Sequence, residues 1–167
     1  MIPTPPPAAA GAAPGASGRV GPQLDHVGLS VADLDAQAEW YSRALGLEQL
    51  EPGGIPAVGL RVVFLVDPDG GWAIELLNRP GSQPKPRAAT APEHVLSQGY
   101  GHICLRVTDV DATFAQLIAA GASEIMAPGE SPVSGVRMAF VADPEGNFIE
   151  MLDRPGPPGT PVATVPA

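Results

Sequence analysis

Apolar and polar positions along the chain divide it into two halves that repeat one order of elements. In the first half an apolar run over residues 24–31 predicts a strand. A helix is predicted over 33–45, with Asp33 as N-cap and Gly46 as its stop. Leu34, Ala38, Tyr41 and Leu45 form its apolar stripe. A weak strand over 48–50, a stronger one over 58–66 and a closing strand over 72–77 follow. The last two flank the hairpin turn Asp67-Pro68-Asp69-Gly70-Gly71.

The second half predicts a strand over 101–107 and a helix over 109–120, with Val110, Phe114, Leu117 and Ile118 inward and Gly121 as its stop. Strands are predicted over 123–126, 136–142 and 148–152. A loop holding Pro128, Gly129, Pro132 and Gly135 falls between the first two, and the turn Asp143-Pro144-Glu145-Gly146-Asn147 between the last two. The order is βαβββ twice, an α+β arrangement of two tandem modules. A long repeat present only twice is a duplicated pseudo-dimer and not a solenoid.

Between and beyond the modules the composition changes. Residues 1–21 are Pro, Ala and Gly with little to bury and are expected to be a disordered tail. The first module covers 22–80 and the second 99–154; 81–98 is a Pro-rich linker, with a short helical turn over 93–96, and 155–167 is a flexible tail. The 167 residues carry a net charge of −9, which argues against nucleic acid and against anionic membrane surfaces. One cysteine, Cys104, permits no internal disulfide. Without a secretory pattern or a membrane-length apolar run, the expectation is a cytoplasmic protein.

The chemistry lies in what repeats. His26 and His102 occupy the same position in their strands, 76 residues apart. Glu75 and Glu150 occupy the same position in the closing strands, 75 apart, because the first turn has an extra glycine. A carboxylate with apolar neighbours on both sides is costly to bury without a partner. Two imidazoles and two carboxylates make a good ligand set for one divalent ion such as Ni, Co, Zn, Mn or Fe. Pleat alternation puts Cys104 and Arg106 on the face of His102, and Gly28 and Ser30 on that of His26. Cys104 reads as a small buried thiol. His94, in the linker, is set aside.

Asp25-His26-Val27-Gly28, Trp40-Tyr41 through Leu45-Gly46-Leu47, Gly101-His102-Ile103 and Asp143-Pro144-Glu145-Gly146-Asn147-Phe148-Ile149-Glu150 resemble the vicinal oxygen chelate superfamily. It includes glyoxalase I, extradiol dioxygenases, methylmalonyl-CoA epimerase and bleomycin-resistance proteins. The resemblance covers about residues 22–154 and implies two curved mixed sheets forming a cup around one metal ion. The His-Glu-His-Glu set is similar to glyoxalase I, which makes His26, Glu75, His102 and Glu150 the implied ligands. Glu150 is then the implied mobile base and Glu75 a second proton carrier. The implied reaction is that of a lyase or isomerase, moving a proton through a metal-chelated enediolate on a 2-oxoaldehyde–thiol adduct or a related α-hydroxycarbonyl. A metal-dependent epimerase, an extradiol-type dioxygenase and a drug- or metabolite-sequestering binding protein are the alternatives. Ser30 stands where glutathione-using relatives commonly carry an arginine. Arg106, at the matching position of the second half, is the candidate for a substrate anion, and Asn78 for a polar substrate contact. The resemblance further implies a small-molecule substrate and a homodimer.

Overall fold

The computed structural model describes residues 24–69, 71–133 and 135–157. The predicted tail over 1–21 and residues 158–167 of the second tail lie outside the described residues. The chain divides between Pro84 and Lys85 into two compact units, each a mixed sheet with one principal helix.

In the first unit β1 (His26–Ser30) runs into α1 (Leu34–Leu45), then β2 (Glu48–Gln49), β3 (Gly53–Ile55), β4 (Leu60–Val66) and β5 (Ala73–Asn78). The sheet order is β1-β5-β4-β2, with β3 also on β4. Only β1 and β5 run parallel. Asp33 caps α1 by accepting a hydrogen bond from the Ala36 amide, and Gly46 ends it at φ 72°, a conformation that costs glycine little. The helix buries Leu34, Gln37, Ala38, Trp40, Tyr41 and Ala44, a wider stripe than the four predicted positions, and Leu45 is only partly buried. Against it the sheet buries Val63, Leu65, Ile74 and Leu76. Alternation sends Phe64 and Glu75 to the opposite face.

The predicted strand over 58–66 starts later, because Pro56–Val58 forms a 3₁₀ turn closed by Gly59 at φ 67°. The residues read as a loop before it supply β3, which pairs back on β4. Gly54 is required there: a Cβ at that residue would lie 2.0 Å from the Leu60 carbonyl oxygen.

The second unit opens with the single-turn helix α2 (Ala91–His94), set two residues earlier than the predicted turn, and continues through β6 (His102–Arg106), α3 (Val110–Ala119), β7 (Ser123–Glu130), β8 (Arg137–Ala142) and β9 (Phe148–Asp153). The sheet order is β6-β9-β8-β7, with β6 parallel to β9. β7 runs past Pro128 and Gly129, where the sequence reads as loop. It is an edge strand with two irregular steps in its pairing to β8, and such irregularities tolerate a proline. Val110 and Leu117 of α3 are buried, but Ile118, predicted inward, is exposed. Ala139, Val141, Ile149 and Met151 form the sheet's buried face, and Phe140, Ala142 and Phe148 cluster on the other.

One ion pair is duplicated with the fold. Arg61 on β4 reaches Asp35 on α1 at 2.7 Å, and 76 residues on Arg137 of β8 holds Asp111 of α3 at 2.6 and 2.7 Å.

Candidate active site

Each unit brings one histidine and one glutamate together. β1 and β5 are in register with Gly28 beside Glu75, so Glu75 lies two residues along the face from His26. His26 Nε2 stands 3.5 Å from Glu75 Oε2. In the second unit Cys104 pairs with Glu150 in the same register, and His102 Nε2 stands 3.0 Å from Glu150 Oε2. The glutamate side chains are 20% and 14% exposed and the imidazoles 35% and 33%, so both pairs are half-open to solvent.

The support under the rings is duplicated as well. Phe64 meets the His26 ring edge-on at 5.3 Å and 84°, and Phe140 meets His102 at 5.3 Å and 82°. Phe64 pairs with Glu75, and Phe140 with Glu150. The phenylalanines are also 76 apart, so that spacing alone could have flagged them.

The two half-sites differ in their surroundings. His26 Nδ1 stands 2.7 Å from Asp25 Oδ1, a contact that orients the ring with Nε2 toward Glu75. Residue 101 is glycine, so no acid precedes His102. Opposite Glu75 is Gly28, whose absent Cβ would lie 3.6 Å from Oε2; opposite Glu150 is Cys104. Cys104 is exposed, which corrects its reading as buried, because it shares the face of Glu150, opposite the buried face of Ile149 and Met151. Partial desolvation, then the Glu150 charge and a hydrogen bond to that carboxylate, push its thiol up to about 12, with Arg154 pulling the other way.

The other candidate residues are engaged within their own units. Arg106 is exposed, and its Nη2 donates to the carbonyls of Arg154 and Gly156. Gly156 belongs to the segment read as a loose tail. Asn78 Nδ2 donates to the Val31 and Ala32 carbonyls at 3.0 and 2.9 Å, tying the end of β5 to the β1–α1 connection. Ser30 is exposed. The linker is partly occupied too: Ala88 and Ala91 pack on the Phe140, Ala142 and Phe148 cluster. His94 stacks on Phe148, with ring centroids 4.4 Å apart and 18° between planes.

The model of the Glyoxalase/Bleomycin resistance protein/Dioxygenase superfamily matches residues 23–151. The chain belongs to that superfamily. Among its relatives is the probable lactoylglutathione lyase of Vibrio cholerae, 32% identical over 76% of this chain and 87% of that protein. The ethylmalonyl-CoA/methylmalonyl-CoA epimerase of Cereibacter sphaeroides is 34% identical over 66% of this chain and 79% of its own. Among solved structures, glyoxalase I from Zea mays superposes with a TM-score of 0.62 at 25% identity, over 81% of this chain; the chain spans 46% of that protein. Solved neighbours of the glyoxalase superfamily share the mixed α+β fold seen here.

Among the described residues no group of three or more His, Cys, Asp or Glu side chains stands together to hold an ion. The donors come as His–Glu pairs, one to a unit. In kind they fit a borderline divalent ion: imidazole nitrogens with carboxylate oxygens, half-open to solvent and backed by aromatic rings.

Proposed function

We propose that the chain is a metal-dependent lyase or isomerase of the glyoxalase I type, shifting a proton between neighbouring carbons of a 2-oxoaldehyde–thiol adduct. The observation that carries this reading is the duplicated pair, His26 with Glu75 and His102 with Glu150, each at the same register and on the same phenylalanine support. Relatives named as a lactoylglutathione lyase and as an ethylmalonyl-CoA/methylmalonyl-CoA epimerase support the reading, and a carboxylate beside an imidazole suits proton transfer next to a carbonyl.

His26, Glu75, His102 and Glu150 would hold the divalent ion, in a chain proposed to form a homodimer. Such an ion acts as a Lewis acid, drawing charge from the substrate's oxygens. Glu150 removes the proton from the hydroxyl-bearing carbon at Oε2, leaving an enediolate. His102 Nε2 stands 3.0 Å from that carboxylate. Glu75 or Glu150 then returns the proton to the adjacent carbon, and the hydroxyl proton of the first carbon passes to the oxygen of the second, which completes an isomerisation with no net loss of atoms. Arg106 is the anion contact for the thiol-bearing part once it exchanges its carbonyl partners for the substrate.

The test is purification without added metal, elemental analysis, then reconstitution with Ni, Co, Zn, Mn and Fe against the methylglyoxal–glutathione hemithioacetal. Stoichiometric metal with turnover is the expected result. Lack of turnover with every metal overturns the reading.

A further inference from the structure

His94 sits where the fold has no use for its polarity. It ends α2, a single turn with no buried residue. Its ring lies flat on Phe148 and 6.2 Å from the ring of His102. Phe148 is the register partner of His102, so His94 rests on the face that carries the His102–Glu150 pair. Among the described residues its Nε2 is buried with no hydrogen-bond partner. A Cβ at residue 101 would lie 2.6 Å from that atom, so the glycine there leaves the ring its place.

A phenyl ring would stack on Phe148 equally well and leave no polar atom stranded. A buried nitrogen without a partner works against folding, and such groups in native proteins call for an explanation. The duplicated scaffold does not provide one. In the first unit the register partner of His26 is Ala73, which offers no aromatic platform. The stacked imidazole is therefore an addition to one half-site. A side-chain rotation takes Nε2 off residue 101, and α2 is a single turn with no fully buried residue.

We infer that His94 is a substrate-binding residue of the second half-site, its Nε2–H donating a hydrogen bond to an oxygen of the bound α-hydroxycarbonyl compound. This rests on the proposed function and adds to it a residue that makes the two half-sites unequal. It also makes the 81–98 segment part of the binding surface.

The experiment compares the metal-reconstituted wild type with His94→Phe and His94→Gln, using the methylglyoxal–glutathione hemithioacetal as the probe. His94→Phe keeps the stack and removes the donor. It is expected to unfold at the same temperature as the wild type or higher, while KM rises about tenfold, the effect of one lost hydrogen bond. His94→Gln restores a donor and recovers most of that loss, which a purely structural ring would not. Wild-type KM in His94→Phe, its unfolding at a lower temperature, or a His94→Gln no better than His94→Phe overturns the inference. A wild type with no turnover on any metal instead removes the proposed function, and the role of His94 with it.

Discussion

His102 and Glu150 stand 3.0 Å apart, closer than their first-unit counterparts His26 and Glu75 at 3.5 Å. Glu150 is also the less exposed carboxylate and has Cys104 beside it. It is therefore the better held of the two acids. Glu150→Gln is expected to lower kcat by about 10²–10⁴-fold, the usual contribution of a positioned general base, with thermal unfolding unchanged. Glu75→Gln should lose less. Steady-state kinetics beside a melting curve checks both, and full activity in Glu150→Gln would place the base elsewhere.

If the proposed ion takes its ligands from two chains of a homodimer, mixtures of variants will report it. His26→Ala and His102→Ala are each expected to be inactive. In a heterodimer of the two, one first module and one second module remain intact, so one site of two is rebuilt; since random re-annealing makes about half of the dimers heterodimers, the mixture recovers about a quarter of wild-type activity. Inactivity of the annealed mixture would show that each chain completes its own site.

The thiol of Cys104 is exposed, yet it is expected to react slowly. With its pKa pushed up from 9.0 to about 12, little thiolate exists near neutral pH. Alkylation of the metal-free protein by iodoacetamide should stay slow through pH 8 and climb without a plateau to pH 10. In Glu150→Gln the carboxylate charge is gone and the curve should move to lower pH. A wild-type inflection at the ordinary thiol value would contradict the contact with Glu150.

The Asp111–Arg137 brace gives a pH signature of known sign. The Arg137 hydrogen bond holds the Asp111 carboxyl below its ordinary value. A carboxylate whose folded value is depressed adds stability above the unfolded value, and that stability is lost as pH falls through the folded one. Asp111→Asn should thus be less stable than wild type at neutral pH and equal to it in strong acid. The effect is small and screened by salt, since the pair is exposed. Urea titrations at two pH values and two salt concentrations read it out.

Gly54→Ala should be among the most damaging single changes in the first unit. Its Cβ would meet a backbone oxygen at 2.0 Å, which no side-chain movement relieves, and the residue sits at φ 156°. A loss of about 2–4 kcal/mol is expected from the forced backbone shift. Equal stability of the variant would mean that β3 is free to leave β4.

Much of this was legible because it occurs twice. The helices show in their Asp caps and glycine stops, and the His–Glu pairs in strand position. What the sequence hid was chiefly non-local. Pairing of β3 on β4 depends on a contact between Gly54 and Leu60 that no single-strand pattern records. Pro128 signals a break, and only its place on an edge strand lets β7 continue. Arg106 and Asn78 read as substrate contacts from position alone, while the partners that occupy them come from the Arg154 and Val31 regions, distant in sequence. His94 gave no signal, since a lone histidine among prolines carries no period and its platform lies on a strand 54 residues later.

The hairpins joining β4 to β5 and β8 to β9 differ by one residue, yet the strands on either side keep matching neighbours, Phe64 with Glu75 and Phe140 with Glu150. The corner between Asp67 and Trp72 thus absorbs length without passing it on to the strands. It is the natural port for grafting a reporter peptide or an affinity handle, because its loop closes on itself through the Asp67 amide and the Trp72 carbonyl.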